Sequence, residues 1–254
     1  MRKVNWVVTL LVLLGVLLAC TDTGQSPNQS NDSMPTVAPP RVAKSIKAID
    51  PARRLAEAKN LYEAVCSTRQ YDQVFTAIDE VMNSTATTSL QRADALVLKA
   101  TCVYWLDRYQ EAVKLTQEAI HLAQPDHFPA DQVVDSVLIR AYFIQGRALS
   151  DQRQWQEALQ SFETIADHWY TDDHKYFRLV LCGDTYLVGV SELWRAQCYL
   201  FLNQPKAAKV ILLRAQKDFS GKEGLGFDAA VEYLLRTNDR LLSSGPAGPA
   251  SANN

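Results

Sequence analysis

The sequence predicts an all-α protein, an α-α superhelix of stacked helix hairpins closed by a C-terminal capping helix. Three observations predict it. Between about residues 49 and 243, apolar side chains recur at three- and four-residue intervals, the period of amphipathic helices. Gly and Pro, ten of each in 254 residues, are nearly absent from long stretches of this region. One column pattern returns four times, which turns generic helices into repeats. Composition agrees: 47% apolar and 21% charged residues suit a globular body, and the length allows a sizeable core. A sequence pI near 6.1 offers no basic field for nucleic acid, so no such partner is expected. Five Cys are too sparse for a disulfide scaffold.

Residues 1–19 read as an export signal. Arg2 and Lys3 precede an uncharged run from Val4 to Ala19, a positive n-region followed by an apolar h-region. The run is slightly short for a membrane span, which needs about 20 apolar residues. It ends Leu17-Leu18-Ala19-Cys20, which resembles the lipobox of bacterial lipoproteins. The resemblance implies that the Cys20 thiol is lipidated (palmitate among its chains) and the signal peptide removed. Two or more acyl chains make a stable membrane anchor, whereas one is marginal. Cleavage deletes two basic residues and no acid, so 24 basic residues then face 28 acidic ones, a charge of −4. Such a body faces water while the lipid holds it. Thr21, rather than Asp, after the lipidated Cys resembles the outer-membrane default of bacteria with two membranes.

Residues 20–48 form the lipidated Cys and a linker. Thr21 to Pro40 holds four Pro, no Lys or Arg and no aromatic, too little apolar surface to offset the entropy of ordering. A flexible tether of about 28 residues reaches on the order of 30 Å. The end of the chain, residues 244–254, reads as a disordered tail for the same reason.

The body, residues 49–243, holds four hairpins. Their second helices start at Tyr71/Val74/Ile78/Val81, Tyr109/Ala112/Thr116/Ala119, Trp155/Ala158/Phe162/Ile165 and Pro205/Ala208/Leu212/Ala215. Upstream of each stands a first helix with a matching column, Tyr62, Ala100, Gly146 and Ala196. A second column follows three residues on: Val65, Val103, Leu149, Tyr199. Antiparallel helices about 8–10 Å apart need small residues where they cross, and the aromatic at the second-helix start fills the wedge at the turn. Each hairpin leaves one face uncovered, so stacking builds the core. Asp50-Pro51 is a cap and first-turn start for the first helix, and Pro129 with Asp131 opens the third hairpin. The block ADALVLKATCVYWLDRYQEAVKLTQEAIHL is similar to a tetratricopeptide repeat, and the four blocks together resemble that family.

Three features depart from the family. Successive second-helix starts lie 38, 46 and 50 residues apart, against about 34 in the family, so extra segments are expected near 84–89, 124–131 and 170–186. The closing Pro is missing, and the fourth block puts Glu192 and Arg195 at positions usually apolar. The last stretch, from Phe227, lines Ala230, Leu234, Leu241 and Val231, Leu235, Leu242 along one face as a capping helix.

Chemistry is sparse. No Walker-type loop, GxSxG elbow, HExxH or GxGxxG occurs, and Gly224-Leu225-Gly226 reads as a turn. Asp167, His168, Asp172, Asp173 and His174 collect beside Trp169 and Tyr170 without regular ligand spacing, so they read as a solvated loop rather than a metal site. No catalytic residue, metal or cofactor is expected; the protein is read as not an enzyme. Cys102 and Cys198 share a column with Ala64 and Ala148, a small packing site. Bridges between Cys66 and Cys102 or between Cys182 and Cys198 remain open in an exported protein.

The family resemblance implies a concave groove lined by the first helices. Carried over, its positions are Lys59 and Glu63; Val97, Thr101, Tyr104 and Trp105; Arg140, Phe143 and Arg147; Leu193, Gln197 and Phe201. Aromatics and Arg dominate binding hot spots, and Arg140 and Arg147, two turns apart, point the same way. The function expected is a lipid-anchored interaction scaffold or adaptor of the bacterial cell envelope, binding a protein or peptide partner. The alternative is a ligand-binding lipoprotein using the same groove for a peptide or cell-wall fragment.

Overall fold

The computed structural model describes residues 50–124, 132–170, 178–180, 184–221 and 225–243. It is an all-α helical-repeat superhelix in which each helix packs on the next. The first hairpin is α1 (Pro51–Val65) and α2 (Asp72–Asn83). The second is α3 (Ser89–Trp105) and α4 (Tyr109–Ala123), and the third α5 (Gln132–Asp151) and α6 (Trp155–Trp169). The fourth is α7 (Leu187–Phe201) and α8 (Pro205–Phe219), followed by the single helix α9 (Leu225–Ser243). Cys20, the linker, the tail, Pro129, Asp131 and Cys182 lie outside the described residues.

Local chemistry sets the helix starts. Asp50 caps α1, its carboxylate accepting from the N–H groups of Ala52 (3.1 Å) and Arg53 (3.4 Å), with Pro51 in the first turn where its missing N–H costs nothing. α3 opens with a capping box: the Thr88 hydroxyl accepts from Gln91 N–H (3.2 Å) and Gln91 Oε1 from Thr88 N–H (3.0 Å). The sequence reading missed this T-x-x-Q signal.

The turns inside the hairpins repeat more strictly than the side chains do. Arg69 lies three residues and Asp107, Arg153 and Asn203 each two residues before a second helix, and all four adopt the left-handed conformation, φ +57° to +63°. In the last three hairpins the turn is a Schellman motif. Arg108, Gln154 and Gln204 donate back to the carbonyls of Val103, Leu149 and Tyr199 (3.0, 2.9 and 2.8 Å), which are the second-column residues. The first hairpin uses the simpler form, Arg69 N–H to the Val65 carbonyl at 3.0 Å. In the last three hairpins one shared turn geometry aims each second helix alike.

Alternate helices separate into two layers. The first helices α1, α3, α5, α7 and α9 touch successively, whereas α2, α4, α6 and α8 pack on the helices before and after them and hardly meet one another among the described residues. Close approach on one side and splay on the other is what curves a helical solenoid. The second-helix columns are its core: Val74, Ala112, Ala158, Ala208, Ile78, Thr116, Phe162, Leu212, Val81, Ala119, Ile165 and Ala215 are all fully buried. At the crossing of α5 and α6, Gly146 leaves no room for a methyl group: a Cβ there would lie 2.7 Å from the Phe162 ring. The core divides at α3, whose Ala95, Leu98 and Cys102 face the first hairpin while Ala93, Leu96, Val97 and Ala100 join the larger cluster beyond.

Several expectations change in detail. Glu192, at a position usually apolar, is fully buried and accepts from Arg195 (2.7 Å) and Arg214 (2.8 Å); the two cations replace an apolar neighbour. In the small column Ala64 is exposed, unlike Cys102, Ala148 and Cys198, because no helix among the described residues precedes α1. Cys66, Cys102 and Cys198 are thiols. The extra segment expected near 170–186 contains strand: β1 (Arg178–Val180) pairs antiparallel with β2 (Asp184–Tyr186). The capping helix begins at Leu225, so Leu225 and Gly226 belong to α9 rather than to a turn. It buries Ala230, Val231 and Leu234, but Leu241 and Leu242 are exposed. With 19 residues against 15 in α8, α9 is longer by about 6 Å, and its last turn overhangs.

Candidate functional site

The first helices present to one another a row of polar groups that the sequence placed in a groove. Asp94 on α3 is shared by two cations: Lys59 of α1 donates to Oδ2 and Arg140 of α5 to Oδ1, both at 2.6 Å. Arg140 is held further by its Nε, which donates to the Ser136 carbonyl one turn earlier (3.1 Å). Burial works to raise the Asp94 pKa, but the Arg140 and Lys59 charges outweigh it and hold the carboxyl below its ordinary range. One carboxylate thus joins α1, α3 and α5.

A second chain of contacts runs one turn on. The Tyr104 hydroxyl donates to Asp151 Oδ2 (2.8 Å) and accepts from Arg147 Nη2. The Arg147 guanidinium lies 3.8 Å from the Trp194 ring centroid on α7 and 5.3 Å from that of Tyr104, a cation–π sandwich in a desolvated setting. Burial pushes the Tyr104 phenol well above its usual range, against the nearby guanidinium. Arg147 and Tyr104 therefore connect α3, α5 and α7.

Of the twelve positions expected to line the groove, Val97 and Thr101 are buried, Lys59 is half-buried and Glu63 exposed, and the other eight separate accordingly. Tyr104, Arg140, Phe143, Arg147, Leu193 and Gln197 are buried. Trp105 is half-buried and Phe201 is exposed. Arg140 and Arg147 do lie on one side of α5 as their spacing predicts, but both spend their charge inside the molecule. Phe143 packs edge-on against Phe162, centroids 6.2 Å apart. The two arginines belong to an internal ladder rather than to an open groove. The sequence carries a signal for it: Asp94 stands in an otherwise apolar run, in register with Val97, Thr101 and Tyr104.

What remains accessible is the edge where the hairpins turn. Phe201, at the end of α7, stacks on Trp155, at the start of α6, with centroids 4.0 Å apart and planes 9° from parallel. On the same edge, at the second hairpin, an open cleft of about 670 Å³ is lined by Asp107, Arg108, Tyr109, Gln110, Glu111, Lys114 and Gln152. Tyr109 is fixed there by its hydroxyl, which donates to Asp107 Oδ1 (2.8 Å), and its ring leans on Tyr104, centroids 5.7 Å apart. Trp105 also packs edge-on against Tyr104, centroids 5.2 Å apart. The sequence reading gave Tyr109 and Trp155 only a wedge-filling role at the hairpin turns.

Of the polar cluster near the end of α6, Asp167 and His168 occupy its last turn, and Asp172, Asp173 and His174 lie outside the described residues. Among the described residues no three His, Cys, Asp or Glu side chains gather in a way that fits a metal ion, and no helix is long and apolar enough to cross a membrane. No protein-family model matches the chain, and no curated protein matches it in sequence.

Proposed function

We propose that the protein is a lipid-anchored interaction module of the bacterial cell envelope, an adaptor that holds a protein or peptide partner near the membrane and is not an enzyme. The observation that carries this reading is the pairing of a stacked-hairpin superhelix with the Leu17-Leu18-Ala19-Cys20 ending of a charged-then-apolar N-terminus. A superhelix offers extended surface rather than a chemical centre, and an acylated Cys20 confines that surface to a membrane. In a host with two membranes, the outer membrane facing the periplasm is the proposed location. The contact surface is the turn edge, where Phe201 and Trp155 supply the aromatic area that anchors interfaces, rather than the buried Arg140 and Arg147.

The test is crosslinking and affinity purification of the intact lipoprotein from its host, comparing the parent with Phe201→Ala/Trp155→Ala. Loss of a specific envelope protein in the variant, with unchanged helical circular dichroism, is the expected result; identical captured proteins would refute the turn edge as the contact. The second reading, binding of a cell-wall fragment, is favoured by the cleft, where the Tyr109 ring stands among the planar amides of Gln110 and Gln152. Aromatic faces with amides and charges suit a sugar or short peptide. Retention of a peptidoglycan fragment pool by the parent, but not by Tyr109→Ala, would select it.

A further inference from the structure

The outward face of α8 combines two of the three most exposed large aliphatic side chains among the described residues with two exposed lysines. Val210 is 68% exposed and Leu213 48%; only Val133 among the described residues rivals them. Lys206 and Lys217 are exposed on the same stripe and enter no ion pair among the described residues. Positions 206, 210, 213 and 217 follow helical spacing, so an apolar pair is bracketed by an ammonium group at either end over about 16 Å. The other charges of α8 are spent internally: Lys209 on Asp239 (2.8 Å), Arg214 on Glu192, and Asp218 as acceptor of the Tyr170 hydroxyl (2.6 Å). The stripe therefore carries free positive charge and no free acid.

Charge is distributed along the chain in the same sense. Residues 205–243 hold seven basic and five acidic side chains, whereas residues 50–204 hold 14 and 21. The last hairpin and cap are net positive; the rest of the body is strongly negative. We propose that the outward face of α8, through Lys206, Val210, Leu213 and Lys217, docks on an anionic lipid surface. Aliphatic side chains between lysines, whose stems let the ammonium groups rise to phosphate level, match the interface of a negatively charged leaflet. A protein hot spot instead calls for an aromatic or Arg anchor seated in a pocket, and this convex stripe has neither. The acidic remainder is repelled by the same leaflet, so the superhelix stands on its C-terminal hairpin. Two aliphatic side chains bind weakly alone, and the contact matters where a tether supplies a high effective concentration. The inference rests on the anchored reading only for that nearness.

The test uses the full chain reconstituted during detergent removal into vesicles of phosphatidylglycerol with phosphatidylcholine, or of phosphatidylcholine alone. Amine acetylation at each lysine is followed by mass spectrometry, with exposed Lys114 of α4 as reference. Lys206 and Lys217 are expected to react about threefold or more slowly on the anionic vesicles than on the neutral ones. High salt or Val210→Asp/Leu213→Asp is expected to abolish the difference, while Lys114 stays constant. Both substitutions lie at exposed positions, and circular dichroism checks the fold. Equal rates at Lys206 and Lys217 on the two vesicle types, with the acylated chain bound to both, overturn the proposal. Protection by an acidic envelope protein and not by vesicles overturns it in favour of a protein partner. Acylation is read separately, from the mass of the fragment bearing Cys20, so an unmodified Cys20 refutes the anchor without deciding the docking face.

Discussion

Asp94 offers a controlled comparison, because one carboxylate meets two cations at the same 2.6 Å separation in different surroundings. The Arg140 side chain is 7% exposed and that of Lys59 40%. Arg140→Ala removes the buried partner and leaves a buried carboxylate facing a half-exposed ammonium. Breaking a buried pair costs about 3–5 kcal/mol; with Lys59 still present, the loss falls near the lower end, about 3 kcal/mol. Lys59→Ala opens only a solvent-screened contact and costs less than about 1 kcal/mol. For a body of this size, the first variant lowers Tm by about 6–12 °C and the second by less than about 4 °C. Asp94→Leu/Arg140→Met removes both charges together and stays within about 1 kcal/mol of the parent. Thermal unfolding of the full chain by circular dichroism measures all three. Equal losses for Arg140→Ala and Lys59→Ala would refute the reasoning, since burial is what separates them. The pH dependence has a definite sign. The folded carboxyl is held below its ordinary range, so the pair's contribution is complete above about pH 4, the unfolded value, and fades as pH falls through the folded pKa. The deficit of Arg140→Ala is therefore constant near neutrality and shrinks in acid.

Other expected outcomes concern packing, turns and thiols. Gly146→Ala drives a methyl group into the Phe162 ring; overpacking of about 1–3 kcal/mol exceeds the gain of up to about 1 kcal/mol in helix propensity, and Phe162→Leu in the same chain restores much of the loss, as urea unfolding would register. Arg153→Gly relieves a left-handed residue at φ +63°, a cost of about 1–2 kcal/mol, against about 0.4–1 kcal/mol of added unfolded-chain entropy, and is expected to stabilise by up to about 1 kcal/mol; a destabilised variant would show that the arginine side chain has a role beyond the turn. Burial pushes the Cys198 thiol up to about 12, beside Ser150 Oγ at 3.8 Å, so maleimide mass tagging is expected to label half-buried Cys66 first and Cys198 only after unfolding.

The repeat frame was legible because it is written in spacing. The small and apolar columns at Val74, Ala112, Ala158 and Ala208 mark where two helices cross, and that demand is local enough to read from one chain. The turn residues were less legible, since Arg69, Asp107 and Arg153 are not the Gly or Asn that usually mark a left-handed position. The surface was misread at α3 and α5 for a physical reason. Arg140 and Arg147 look like exposed cations until Asp94, 46 positions away from Arg140, and Trp194 are known to face them. Pairings at such separation depend on how hairpins stack, which periodicity does not encode. Lys206, Val210, Leu213 and Lys217 follow helical spacing in the sequence, but that spacing does not say which face of α8 the neighbouring helices leave uncovered.

The division of the core at α3 has a mechanical consequence. The small cluster formed by Leu55, Tyr62, Tyr71, Ile78 and their neighbours meets the rest of the molecule along one side of a single helix, with Lys59 as an external strap to Asp94. Load applied at Asp50 reaches this cluster before any other, and α1 with α2 can peel away while the later hairpins keep their packing. The N-terminal hairpin acts as a fuse: it yields first under tension and spares the remainder of the stack.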